Sequence, residues 1–456
     1  MFPTSNIDGV KLKNRAVNVR TSKFKTIPKN IDILKPLPRL NDCRNANERE
    51  SLLIRKIQQC TTLFDFSDPN IDNKSQMVKK NVLNELIDYI TDDKNSISDN
   101  ASSEIINMVA KNLFRTLPLS DFDPMEDDPI LEPSWPHMQL VYELFLRFLE
   151  KLSFHEVKKP LDQGFVVQII RLFDSEDPRE RDYLKTVLHR IYGKFINLRA
   201  FIRKEITYTF LEFIYETEHF NGISELLEIF GSIINGFAIP VKPEHKITLQ
   251  RVIMPLHTPK LLHNYCTQLA YCVVQYVEKE AYFARISIKA LLKYWPKTCS
   301  NKEAIFVTEI EEILNIIDVN EFKKIQEPLF KRLALCVGSL HFQVAEKSLL
   351  YWQNDFVCRL MEDNYKTLIP ILFPHLYRMS KEHWSETIIS LIMNALKSFM
   401  EYDPKLFGDL TAQYKNDKQK DKRKTKEREE LWKKLNDIEV KRNMSKLKQY
   451  KQNKFH

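Results

Sequence analysis

Apolar residues recur at steps of three and four from about Glu48 almost to the end of the chain. Leu52, Leu53, Ile57 and Cys60 form one such series; Val82, Leu83, Leu86, Ile87 and Ile90 form another. This is the spacing of one helix face. A polar stretch over 91–101 predicts a loop. The clearest segment runs from Glu225 to Gly236, where Leu226, Ile229, Phe230, Ile233 and Phe237 make one stripe. Asn235-Gly236 reads as its end, with Pro240 just beyond.

Weak repetition joins these helices. Ala290-Leu-Leu-Lys-Tyr-Trp295 returns as Lys347-Ser-Leu-Leu-Tyr-Trp352. A proline unit at Pro255, Pro328 and Pro374 reads as helix-opening. The intervals are uneven, which excludes strict arrays of 33 or 34 residues and suits degenerate helix pairs of about 40–47. The predicted fold is therefore all-α: a curved, HEAT-like (armadillo-type) solenoid over 46–410. Such a fold offers a concave binding face in place of a catalytic pocket. Residues 1–45 are basic, proline-bearing and without period, and read as a disordered arm. Residues 411–456 read as a charged helix, with Glu429→Lys433 and Glu430→Lys434 at i,i+4.

Composition sharpens this. The chain has 8 glycines in 456 residues, where ordinary usage would give roughly 32. Rossmann domains, P-loops and hairpin-rich sheets need more than that. No apolar run approaches the length of a membrane span, and the N-terminus does not read as a secretory signal. The seven cysteines are scattered, with no Cys-x-x-Cys, which fits reduced thiols and argues against a zinc module. The net charge of +8 conceals an asymmetry. Residues 1–40 carry +7 and residues 411–456 carry +9, so the remaining body is acidic at −8. A nucleic-acid binder carries its positive charge on the folded surface, so that class is disfavoured. The run Lys418, Lys420, Lys422, Arg423, Lys424 and Lys426 is a candidate nuclear import signal on an otherwise cytoplasmic chain.

Catalytic motifs are missing: there is no Gly-x-Gly-x-x-Gly, Walker loop, His-Glu-x-x-His or Gly-x-Ser-x-Gly. His155-Glu156 is followed by Val-Lys-Lys, so the metalloprotease pattern fails. Cys266 and Cys272 fall on an apolar helical segment as core fillers. No cofactor, metal or intrinsic enzyme activity is expected. Two constellations stand out. His189 and Tyr192 share a helix face with Arg190 one step round, followed by Arg199 and Arg203. If the next helix packs alongside, Ile229 and Ile233 supply an apolar wall, with Lys242 and His245 shortly after. That would be a groove for a peptide with aliphatic anchors and acidic or phosphorylated residues. Pattern alone is met more simply by ordinary core under a solvated basic face. The second constellation is the acidic loop Asp121-Phe-Asp-Pro-Met-Glu-Asp-Asp-Pro-Ile-Leu-Glu132, with six acids and no base. It is either a solvated linker or a surface for a basic partner.

Several long segments resemble the B-prime family of regulatory subunits of protein phosphatase 2A. They are Leu172-Phe-Asp-Ser-Glu-Asp-Pro-Arg-Glu-Arg-Asp182, the His189–Lys194 run, Phe213-Ile-Tyr-Glu-Thr-Glu-His219, Asn221-Gly-Ile223 and Gly231-Ser-Ile-Ile-Asn-Gly-Phe-Ala238. Leu292-Lys-Tyr-Trp-Pro-Lys297 and His341-Phe-Gln-Val-Ala-Glu346 extend the set. The resemblance runs from about Leu117 to about Trp432 and is loose before that. It implies a HEAT-like subunit docking on a scaffold and a catalytic subunit in a heterotrimeric serine/threonine phosphatase. It also implies a groove for Leu-x-x-Ile-x-Glu motifs, some strengthened by phosphorylation. The groove positions would be His189, Arg190, Tyr192, Arg199, Ile229, Ile233, Lys242 and His245. Tyr192, Ile229 and Ile233 would take an aliphatic anchor, and His189 and Arg190 the motif's Glu. Arg199, Lys242 and His245 would attract a phosphate or acid. Pro243 stands where the resemblance leads one to expect an acidic residue. Asp123, Glu126, Asp127, Asp128 and Glu132 would face the catalytic subunit. The alternative is a phosphatase-independent scaffold or adaptor that keeps the peptide groove.

Overall fold

The computed structural model describes residues 34–452 apart from 44, 67–72, 94, 118–127 and 153–160, with side chains to residue 444. Every regular element among the described residues is helical. Two compact units emerge: Met1–Gly236 with Pro259–Leu269, and Phe237–Thr258 with Ala270–His456.

Unit 1 contains α1 (Ala46–Gln59), α2 (Asn73–Thr91), α3 (Asp99–Leu113), α4 (Trp135–Lys151), α5 (Gln163–Leu172), α6 (Pro178–Lys194), α7 (Arg199–Glu212) and α8 (Ile223–Asn235). Neighbours pack two apart. α2, α4, α6 and α8 follow one another in one row, while α1 meets α3 and α5 meets α7 in the other. This is the stacking of helix pairs that the degenerate repeat predicts. The core between the rows is apolar and aromatic: Val141, Phe145, Phe148, Ile169, Leu188, Ile202, Phe210 and Leu226 are all fully buried.

Unit 2 holds α9 (Pro243–Thr248), most of α10 (Cys266–Lys279), α11 (Tyr282–Lys293), α12 (Ser300–Leu314), α13 (Val319–Lys323), α14 (Gln326–Val337) and α15 (Phe342–Leu350). It ends with α16 (Asp355–Asp363), α17 (Tyr365–Glu382), α18 (Glu386–Tyr402) and α19 (Pro404–Gln452). The duplicated Tyr-Trp segment closes α11 once and α15 once.

Several expectations need correction. Pro328 does open a helix, but Pro374 and Pro370 lie inside α17. An interior proline costs about 3 kcal/mol in an isolated helix. α17 tolerates two because α14 and α18 pack along it and bury Leu368, Ile369, Leu372 and Phe373. Residues 34–43, assigned to the arm, are instead laid on unit 1. Leu40 is buried, its N–H donates to Glu85 Oε1 at 2.7 Å, and Gln59 Nε2 donates to the Lys35 carbonyl at 2.8 Å. The rest of that arm, residues 1–33, lies outside the described residues. The C-terminal helix starts at Pro404, seven residues before the predicted boundary, because Phe407 and Tyr414 pack edge-on against Phe373 and Tyr377 of α17.

Glycine scarcity has a structural counterpart: among the described residues no glycine has positive φ, and Gly236 ends α8 at φ −79°. Gly236 is thus the C-cap of α8, as Asn235-Gly236 predicts, in a right-handed conformation. Gly222 is required for a different reason. A Cβ there would lie 2.5 Å from the Phe173 carbonyl oxygen and 2.6 Å from its Cβ. Gly222→Ala is expected to destabilise unit 1 by about 1–3 kcal/mol, as overpacking does. A urea midpoint equal to wild type would refute it.

Burial also makes stability pH-dependent. His137 is edge-on to Phe64 and Phe66, with Nε2 3.1 Å from the Gln76 carbonyl. Desolvation first, then the charge of Lys79, lowers its pKa from 6.5 to about 4. A depressed folded value means that neutral His137 supports the fold above pH 6.5. That support is lost as pH falls from 6.5 towards about 4. His137→Phe should flatten this part of the stability profile, and identical wild-type and variant slopes from pH 7 to 4.5 would contradict it.

Candidate functional site

α6 begins where Asp177 accepts from the Arg179 N–H at 2.9 Å and Pro178 takes the first helical position. Val187, Leu188 and Ile191 then face the core, which turns His189 and Arg190 outward. α8 runs beside α6 with Leu226, Ile229, Phe230 and Ile233 of its stripe buried, whereas Phe237, read as part of that stripe, lies beyond the helix end and is half-buried. Between them lies a groove of about 580 Å³ lined by Lys185, Thr186, His189, Arg190, Gly193, Lys194, Glu228 and Ile229.

The groove is cationic and its charges are held in place. Lys185 pairs with Glu228 at 2.8 Å. Arg190 Nη2 lies 3.2 Å from Glu150 Oε1, with its side chain half exposed. Lys194 Nζ donates to the Glu150 and Leu152 carbonyls at 2.6 and 2.9 Å. Burial, then the neighbouring Arg190 charge, lowers the pKa of Lys194. His189 Nε2 sits 3.1 Å from Ser232 Oγ, tying the two helices at the rim. Gly193 opens the floor: a Cβ there would meet no atom within 4 Å, so packing does not demand glycine.

Tyr192 stands beside this groove in an arginine bracket. Arg203 Nη1 donates to its hydroxyl at 3.1 Å, and the Arg199 guanidinium lies over its ring at 5.3 Å. Arg199 also donates to the Tyr192 and Gly193 carbonyls, both at 2.9 Å, so it fixes the C-terminal turn of α6. Ile229 lines the groove, whereas Ile233 is buried one turn on, 4 % exposed and outside the lining. The structure thus gathers His189, Arg190 and Ile229, with Tyr192 and Arg199 adjoining. Lys242 and His245 belong to unit 2, where Lys242 is exposed and His245 stacks flat on Phe237 with ring centres 3.8 Å apart. Lys185, Lys194 and Gly193 were missed by sequence reasoning, although Lys185 stands one turn before His189 and signalled its place.

Of the acidic loop, Asp123, Glu126 and Asp127 lie outside the described residues. Asp128 is exposed. Glu132 departs from the expected outward-facing acid. Its carboxylate lies 3.3 Å from Arg115 Nη2 and accepts from Ser134 Oγ at 2.6 Å. Its N–H donates to Asp177 Oδ2 at 3.0 Å. Arg115 in turn reaches Glu180 Oε1 at 2.7 Å, and Tyr142 and Ser175 hydroxyls donate to the same buried carboxylate. Glu132 therefore anchors the loop's exit to the start of α6.

No group of side chains able to hold a metal ion, and no helix long and apolar enough to cross a membrane, occurs among the described residues. Of the two cysteines read as core fillers, Cys272 is fully buried and burial pushes its thiol well up, whereas Cys266 is only half-buried at the start of α10.

A sequence model of the protein phosphatase 2A regulatory B subunit (B56 family) matches residues 37–439. The chain belongs to the B56 family. It is 56% identical over 418 residues to the mouse serine/threonine-protein phosphatase 2A 56 kDa regulatory subunit alpha isoform, covering 91% of this chain and 86% of that one. It is 56% identical over 400 residues to the regulatory subunit pptr-1 of Caenorhabditis elegans, covering 87% and 74%. The rabbit 56 kDa delta isoform is 55% identical over 427 residues, covering 92% and 72%. The B56 match extends from the docked segment after residue 37 through the groove helices and most of α19, so it includes the elements described above.

Proposed function

We propose that the chain is the non-catalytic, substrate-targeting subunit of a heterotrimeric serine/threonine phosphatase. It docks on a scaffold and a catalytic subunit, and holds short Leu-x-x-Ile-x-Glu motifs between α6 and α8. The observation that carries this reading is the groove's make-up. Lys185, Arg190 and Lys194 line it against a single lining carboxylate, Glu228, with Ile229 below and an open position at Gly193. A ligand carboxylate gains charge-assisted hydrogen bonds there, and an aliphatic residue gains an apolar contact. The backbone can come close where Gly193 has no side chain.

Membership of a family of phosphatase regulatory subunits supports the assembly part of the reading. Purifying the full chain from cells is expected to bring down a metallophosphatase and a longer helical-repeat scaffold in equal amounts. Capture of motif-bearing peptides without either phosphatase subunit would establish the adaptor reading instead.

A further inference from the structure

Lys418 Nζ of α19 lies 3.5 Å from Glu382 Oε1, at the end of α17. Beyond this pair α19 runs on as helix to Gln452, and every described side chain over 419–444 is exposed. A helix that stands clear of its own body is polar all round when it serves only as a spacer. This one is not. Leu431, Trp432, Leu435 and Ile438 are between 55 % and 62 % exposed, and Val440 and Met444 are 54 % and 61 % exposed.

These side chains fall on two sides of the helix. Leu431, Leu435 and Ile438 lie within about 60° of one another, with Trp432 at their edge. Val440 and Met444 stand about 180° and 220° round from Leu431. A flat lipid surface or a single partner helix covers one side only. Burying both sets requires an occupant that closes round the helix, and α19 is exposed on every side there. Charge narrows the occupant further. Residues 418–444 hold eleven Lys/Arg against six Asp/Glu, which gives 11 − 6 = +5. Walls that enclose such a segment favourably are acidic.

We infer that α19 is clasped over 431–444 by a two-lobed acidic protein of the calcium-sensor class, in which calcium opens EF-hand pairs and exposes methionine-lined pockets. One lobe takes Leu431, Leu435 and Ile438, and the other takes Val440 and Met444. The outermost anchors, Leu431 and Met444, are about 20 Å apart along the axis, which leaves room for two pockets side by side. Methionine linings adapt to mixed Leu, Ile, Val and Met anchors, and an amphipathic helix in an apolar groove is a recurrent mode of recognition. The site lies on α19 alone and is independent of the α6–α8 groove and of the reading built on it.

The test is calorimetry of the full chain with calcium-loaded calmodulin as the probe. One-to-one binding is expected, weakened at least fiftyfold (~) when a chelator removes the calcium. Leu435→Glu and Met444→Glu, one on each side of the helix, should each weaken it at least tenfold (~), since each sets a carboxylate in an apolar pocket with acidic walls. Both positions are exposed, so circular dichroism should stay as in wild type. Absence of binding, or equal affinity with and without calcium, overturns the inference. So does loss in Leu435→Glu with full binding in Met444→Glu, because one side of the helix then suffices. Capture by phosphatidylserine vesicles, or dimerisation in sedimentation that Leu435→Glu abolishes, in the absence of calmodulin binding overturns it in favour of a lipid surface or a second copy.

Discussion

Arg190→Glu should lower the affinity for a Leu-x-x-Ile-x-Glu peptide by about 10- to 100-fold. A hydrogen bond to a charged partner contributes about 1.5–3 kcal/mol, and each 1.4 kcal/mol is roughly a factor of ten. The side chain is 50% exposed, so solvent screening holds the effect well below that of a fully buried pair. Reversal adds repulsion from two sides. The new carboxylate would stand where Arg190 now lies 3.2 Å from Glu150, and it would also face the ligand's Glu. Arg190→Gln should lose less, because it removes the charge without opposing the ligand. Wild-type affinity should fall as salt rises, since charges at a half-exposed rim are screened within about 8 Å at physiological ionic strength. Calorimetry showing unchanged affinity in a folded Arg190→Glu variant would remove the groove assignment.

Arg115→Ala is expected to have the largest effect on stability, about 3–5 kcal/mol, the cost of leaving a buried charge unpaired. Glu180 is completely buried and Arg115 is 7 % exposed. Without the guanidinium, the Tyr142 and Ser175 hydroxyls alone would face a full negative charge. Glu132 would lose its ion pair as well, and the loop's exit would loosen from α6. The double variant Arg115→Met, Glu180→Gln should recover more than half of the loss, because it removes both charges and keeps an acceptor for the hydroxyls. Hydrogen exchange in α6 reports unit 1 specifically. If exchange there is unchanged in Arg115→Ala, the cluster does not hold the fold.

Local chemistry was legible from the residues alone. The stripe Leu226, Ile229, Phe230 and Ile233 determined that α8 is a helix and which face it buries, because 3.6-residue periodicity needs only neighbours in sequence. The helical class followed from the same pattern and from the scarcity of glycine. That His189 and Tyr192 share a helix face, with Arg190 one step round, was likewise a matter of spacing. Even the acidic body and basic ends were arithmetic.

Tertiary structure decided what distance along the chain conceals. Arg115 and Glu180 are 65 residues apart, and no periodicity announces that they meet. Glu132 reads as one more acid in an exposed loop until the fold supplies Arg115. Pro374 reads as a helix opener until α14 and α18 hold α17 helical around it. Nothing in the local pattern singles out Gly222, yet the close approach of Phe173 excludes a side chain there. In each case a long-range contact, absent from any short window, outweighs the local preference. The groove has the same origin: α6 and α8 each carry half of its chemistry, and their packing side by side places His189 against Ser232 and Lys185 against Glu228.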